Sequence, residues 1–189
     1  MNDPKSGGEE IQTKDLRFYI PVKKTFYYMR FKFALFIFIV MLTVFLRLHT
    51  IGEPLERDQT TYGYIAHRIL AGEKLYTDLW DHKPPGIYWA YMLAESLWGY
   101  GQSGVVFIGI FFTLLSLVFL FLFLKDISGI NTALVGSSFW ALSSNAIFLQ
   151  ANEVNTELFL NTFAFISLWG FARYQRTDGN GSLFLAGTS

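Results

Sequence analysis

Cysteine is missing from all 189 positions, which excludes disulfide staples, thiolate zinc sites and a Cys nucleophile and leaves the redox compartment unmarked. An excess of either charge is missing too. Fifteen Lys and Arg balance fifteen Asp and Glu, and charged residues make up only 16% of the chain. No bulk electrostatic pull on nucleic acid exists, so charge has to be followed segment by segment. The three histidines, His49, His67 and His82, are too scattered to form a ligand set. Also absent are a Gly-rich phosphate loop between a strand and a helix, a Ser, His and Asp arrangement with supporting context, and any internal repeat.

What fills the chain instead is apolar and aromatic: 52% hydrophobic residues, with twenty Phe, ten Tyr and five Trp. That exceeds what a soluble domain of this size needs for a core, and it predicts an all-α integral membrane protein. Residues 1–32 form a polar tail with seven Lys or Arg against four Asp or Glu. Span 1 follows at 33–50, with Arg47 and His49 near its far end, where both can reach toward headgroups. "RLHTIGEP" after the apolar run offers no small-residue cleavage site, which argues against a signal peptide. Span 2 covers 104–124, twenty-one residues without a charge. Span 3 covers 130–149, whose Gly and Ser residues suit close packing in lipid, and span 4 covers 157–172. Residues 173–189 turn polar, begin another apolar run at "LFLAG" and stop, which reads as a fragment of a longer bundle.

One apolar stretch, "PPGIYWAYMLAESLWGY" at 84–100, decides the topology. If it crossed, Lys125, Arg173 and Arg176 would face the side opposite the basic tail, against the positive-inside rule. Laid at the interface, it puts 1–32, the 125–129 turn and 173–189 in the cytoplasm. Residues 51–103 and the second loop, 150–156, then lie outside. Its Tyr, Trp and Glu95 content suits headgroup depth.

Within the first loop, Tyr62, Ile65, Ala66, Ile69 and Leu70 repeat at helical spacing and predict an amphipathic helix on the membrane surface. Asp58 stands at its N-cap position and Ala71-Gly72 closes it.

The stretch "ERDQTTYGYIAHRILAGEKLYTDLWDHKPPGIYW", residues 56–89, resembles the first extracytoplasmic loop of the GT-C membrane glycosyltransferases. The likeness is to bacterial enzymes similar to protein O-mannosyltransferases and to the aminoarabinose transferases of lipid A (family 39 type). The matching points are Asp58, Tyr64-Ile65-Ala66, Gly72 to Tyr76 with Asp78, Lys83-Pro84-Pro85 and Tyr88-Trp89, in that order, with Glu153 and Glu157 further on. Gln59 departs from the family, which often has Glu there.

The resemblance implies a GT-C-like helix bundle in a bacterial inner or plasma membrane. Its donor would be a sugar on a polyprenyl phosphate, and its acceptor a lipid, glycan or protein. It implies Asp58 as the base of an inverting transfer, Lys83 at the lipid phosphate, and Glu157 or Glu153 at the acceptor or sharing a divalent cation with Asp58; His82, beside Lys83, is a candidate donor to the same phosphate or a metal ligand. No cofactor is otherwise indicated, and nucleic acid is not a partner. Each residue also has a plainer role: Asp58 as a helix cap, Lys83 as a snorkelling lysine, His82 as a surface histidine, and the two glutamates as helix-start acids. A lipid-linked-sugar transporter or a four-span structural protein are the alternatives from other classes. Against the transporter, ionisable groups concentrate in the outer loops and not in the spans.

Overall fold

The structure, a computed structural model, describes residues 22–177 and 186–188. Most of the tail expected at 1–32, and the polar and first apolar residues of the 173–189 segment, lie outside them. Among the described residues the chain is helical, without strands beyond an isolated Leu75–Leu79 bridge. Six α-helices follow in order: α1 (Val22–Arg47), α2 (Arg57–Leu70), α3 (Gly86–Trp98), α4 (Gln102–Ser128), α5 (Ile130–Ser143) and α6 (Thr156–Thr177). Short 3₁₀ turns follow α1 at Leu48–Ile51 and precede α6 at Ile147–Leu149.

Two helical stretches, Tyr27–Ile51 and Gln102–Ser128, are long and apolar enough to cross a bilayer. Much of their surface, Phe33, Phe38, Met41, Phe45 and Phe111 included, stays exposed in the isolated chain. Such a display of large apolar side chains calls for lipid or further protein to cover it. The stretch 130–149, expected as one span, breaks after Ser143. α5 has 14 residues, about 21 Å of helix, and the chain then turns through Ile147–Leu149 to a left-handed Gln150 at φ 51°. Asn145 accounts for part of the break, because its Nδ2 bonds back to the carbonyl of Ala141 and so competes with helix continuation.

α4 is the hub. Gly129, at φ 87° and ψ 171°, ends α4 and opens α5, a conformation open only to glycine. It folds α5 back along α4, where Leu117, Phe121, Ala133, Leu134 and Ala141 form a core with Ile39 of α1. α6 runs along the same helix, with the Ser116 and Thr162 hydroxyls 2.6 Å apart and Phe112 set edge-on to Phe159 at 4.7 Å.

The second core joins α2 and α3 to the start of α4 and α6. Tyr62, Ile65 and Ala66 of α2 pack on Ile87, Tyr88, Tyr91 and Ala94 of α3, with Val105, Ile108, Val154 and Leu158 beneath. Each large side chain so buried contributes roughly 1.5–3 kcal/mol. The apolar stripe of α2 is therefore a protein interface. The face expected to lie on the membrane surface thus packs on α3 through Tyr62, Ile65 and Ala66, while Leu70 at its end stays exposed.

Three local expectations change with the structure. The N-cap of α2 is Glu56 and not Asp58: Glu56 and Gln59 form a capping box, with the Glu56 N–H donating to Gln59 Oε1 at 3.2 Å. Arg47 does not reach toward headgroups; it is 2% exposed and turned inward. Glu153 and Glu157 do not share a helix, because α6 begins at Thr156 and leaves Glu153 in the loop.

Gly109 of α4 faces Val154, and a β-carbon on it would collide with Val154 Cγ2. Gly109→Ala is expected to cost about 1–3 kcal/mol of stability, read as a lower Tm in detergent. Val154→Ala in that background should restore part of the loss, because the two side chains compete for one space.

Candidate functional site

Asp58, Lys83, Glu153 and Glu157 line a single cleft of ≈ 560 Å³, walled on the far side by the α5–α6 connection. Asp58 lies in the first turn of α2, its side chain 45% exposed and 3.3 Å from the almost fully exposed Arg57, a pairing too wet to hold it firmly. With the capping box occupied by Glu56 and Gln59, the Asp58 carboxylate is left to face the cleft. Gln59, where the related enzymes often carry a second carboxylate, is buried and bonded to the helix start.

Lys83 reaches the cleft from a connection held by its own side chains. Asp78 Oδ2 accepts the Lys74 N–H at 2.9 Å. The Tyr76 hydroxyl donates to the Lys83 carbonyl at 2.5 Å. Asp81 accepts the Tyr88 hydroxyl at 2.7 Å and the His82 N–H at 2.7 Å. Burial works against ionisation of Asp81, yet these bonds and the adjacent imidazole outweigh it and hold its pKa below the usual value. Burial first, and then the bond to Asp81, push the Tyr88 phenol far above its ordinary range. Asp78 and Asp81 thus act as internal acceptors that shape the loop. Pro84 and Pro85 follow at once and lead into α3, restricting the backbone just after Lys83.

Tyr62, one turn beyond Asp58 on α2, is close enough to both Asp58 and Lys83 to feel their charges. Its phenol is raised foremost by burial, with Lys83 opposing the shift and Asp58 adding to it. Sequence periodicity placed Tyr62 only on an apolar face. On the opposite wall, Glu153 is raised by burial; the 2.6 Å bond from Asn155 Nδ2 offsets this, and the charges of Glu56, Asp58 and Glu157 reinforce it.

Among the described residues no three His, Asp or Glu side chains converge to hold a metal ion. His82 is not among the cleft residues. Its side chain is 80% exposed, and its Nδ1 lies 3.0 Å from Asp81.

Sequence reasoning missed the polar wall made by Ser143, Gln150, Asn155 and Asn161. Of these, Asn161 carried a readable signal, since it lies one turn from Glu157 on the predicted fourth span.

A sequence profile of the dolichyl-phosphate-mannose-protein mannosyltransferases matches residues 82–189. The chain belongs to that family. Its members are GT-C glycosyltransferases of the membrane that draw on a lipid-linked sugar. No curated protein and no solved structure matches the chain. The family match takes in Lys83, Glu153 and Glu157 and begins after Asp58, which the packing of α2 on α3 brings to the same cleft.

The capping geometry makes a direct prediction. Gln59→Leu, which removes the acceptor for the Glu56 N–H, should lower Tm by the equivalent of about 1 kcal/mol. Asp58→Asn should leave Tm within error of the parent, because Asp58 caps nothing. Thermal unfolding of both variants in one detergent checks this.

Proposed function

We propose that this cleft is the reaction chamber of an inverting glycosyltransferase. In it a sugar passes from a polyprenyl-phosphate donor to a hydroxyl or amine of a lipid, glycan or protein acceptor at the outer face of a bacterial plasma membrane. The observation that carries the reading is the meeting of Asp58 and Lys83, a base and a cation, in one cleft although they stand 25 positions apart in the sequence. The acceptor heteroatom attacks the anomeric carbon, and the bond from that carbon to the phosphate oxygen breaks with its electron pair. Asp58 takes the acceptor proton, while Lys83 neutralises the charge arriving on the polyprenyl phosphate. Glu157 and Glu153, on the opposite wall, orient the acceptor. His82 keeps a place at the phosphate only if the 80–83 connection turns it away from Asp81.

A second observation supports the lipid donor. Beside the cleft, beginning at Pro84, runs an apolar groove of ≈ 500 Å³ lined by Ile87, Ala90, Leu93, Phe159 and Phe163 among others. A phosphate on Lys83 would leave its polyprenyl chain at the mouth of that groove.

The proposed topology puts 51–103 and 150–156 outside, and 1–32, 125–129 and 173–189 in the cytoplasm, with spans at 33–50, 104–124, 157–172 and the α5 segment of 130–149. Two clusters support it. At one end of the bundle Arg47 meets the chain at Ser144 and Asn152, and Gln102 bonds to the carbonyls of Thr50, Ile51 and Glu53. At the other end Asp126 meets Trp169, Arg173 and Arg176, next to Lys125, a basic end that suits the cytoplasm.

Asp58→Asn should lower transfer roughly 10²–10⁴-fold, the range of a lost general base. Lys83→Ala should weaken use of the donor by on the order of 2 kcal/mol, with Arg restoring only part, because a planar fork does not replace a point charge. The measurement is donor-to-acceptor transfer by purified protein. Activity retained in Asp58→Asn would remove the assignment of the base.

A further inference from the structure

Arg47 is the last residue of α1 and is 2% exposed. A guanidinium withdrawn from water this far needs its donors satisfied. Two nitrogens separate to two carbonyls: Nη1 donates to Ser144 O at 3.2 Å and Nη2 to Asn152 O at 2.8 Å. Ser144 is the first residue after α5, and Asn152 lies four residues before α6. The two bonds bracket the stretch between those helices, which holds only one short 3₁₀ turn and the left-handed Gln150.

That stretch builds the cleft wall opposite Asp58. Leu149, Gln150 and Ala151 line it, and Glu153 follows Asn152 directly. On the far side of Glu153, the Tyr91 hydroxyl holds the Val154 carbonyl at 2.9 Å. Glu153 therefore sits between two fastened backbone points, one held from α1 and one from α3. A lysine in place of Arg47 supplies the charge but concentrates it at one nitrogen, and cannot match the divergent fork.

We infer that Arg47 is a positioning residue, which clasps the carbonyls of Ser144 and Asn152 and so sets Gln150 and Glu153 in the acceptor-facing wall of the cleft. The word acceptor rests on the function proposed above; the clasp does not. The 145–153 amides that bond within the turn, among them Leu149 N to Ala146 O and Glu153 N to Gln150 O, report the clasp through hydrogen exchange.

In Arg47→Gln, amide exchange across 145–153 should accelerate by at least about 10-fold, while that across 131–143 of α5 stays unchanged. Arg47→Lys should fall between the two. If the glutamine variant does not insert, the lysine variant is read in the same way. In transfer assays the KM for acceptor should rise, with the KM for donor within about two-fold of the parent, since donor contacts at Lys83 are untouched. Unchanged exchange at 145–153 would overturn the inference. So would equal acceleration in α5, which marks general damage to the fold, and so would a loosened turn with both KM values unaltered. A loosened turn in a protein that transfers no sugar even as the parent would leave the clasp standing and defeat the proposed function.

Discussion

Three tyrosines hold the site together. Tyr62 of α2 meets Tyr88 and Tyr91 of α3 edge-on, at 6.1 and 5.8 Å between ring centres, and all three are essentially buried. Each ring contributes apolar area, and each hydroxyl has a polar neighbour to find. Tyr88 reaches Asp81, in the connection that delivers Lys83. Tyr91 reaches the Val154 carbonyl, beside Glu153. Tyr62 brings Asp58, one turn back on its own helix, toward Lys83. Without this layer α2 would lose its packing on α3, and Asp58 would not be held in the same cleft as Lys83, Glu153 and Glu157.

The polar loop and the greasy bundle are two halves of one device. α3 has 13 residues, about 20 Å of helix. One of its faces covers α2 and another forms the apolar groove with α4 and α6. Such an element joins a polar cleft to an apolar groove, and Lys83-Pro84-Pro85 lies where the two meet. A substrate with a hydrophilic sugar, an anionic phosphate and a hydrocarbon tail presents the same three surfaces in the same order.

Much of this was legible in the sequence, and for identifiable reasons. Helix type and approximate extent followed from long apolar runs and from the 3.6-residue repeat of 62–70. Asp58, Lys83, Glu153 and Glu157 were named from an ordered resemblance, and the fold brings those four together. What failed was local. Asp58 stood where a cap belongs, but the box that brackets it, through Glu56 two residues before and Gln59 one after, is invisible to periodicity when Glu is the capping residue. The break after Ser143 depends on Asn145 folding back on Ala141 and on Arg47 drawing the chain aside, and the second of these links residues almost a hundred positions apart. Arg47 itself looked like an interfacial arginine because nothing in a linear pattern marks a carbonyl pair as its partner. His82 was grouped with Lys83 by adjacency, whereas neighbouring side chains in an extended connection leave in different directions.

The proposed function requires a polyprenyl phosphate to lie with its headgroup at Lys83 and its chain in the groove between α3, α4 and α6. It is tested most directly by photo-crosslinking with a polyprenyl-phosphate sugar that carries a photoactivatable group in the first isoprene unit, followed by mass-spectrometric mapping of the labelled peptides. Labels should concentrate at 83–93 and 156–163 and be displaced by unmodified donor. Labels concentrated instead on the exposed side of α5, at Val135 and Phe139, or labels that excess donor does not displace, would contradict it.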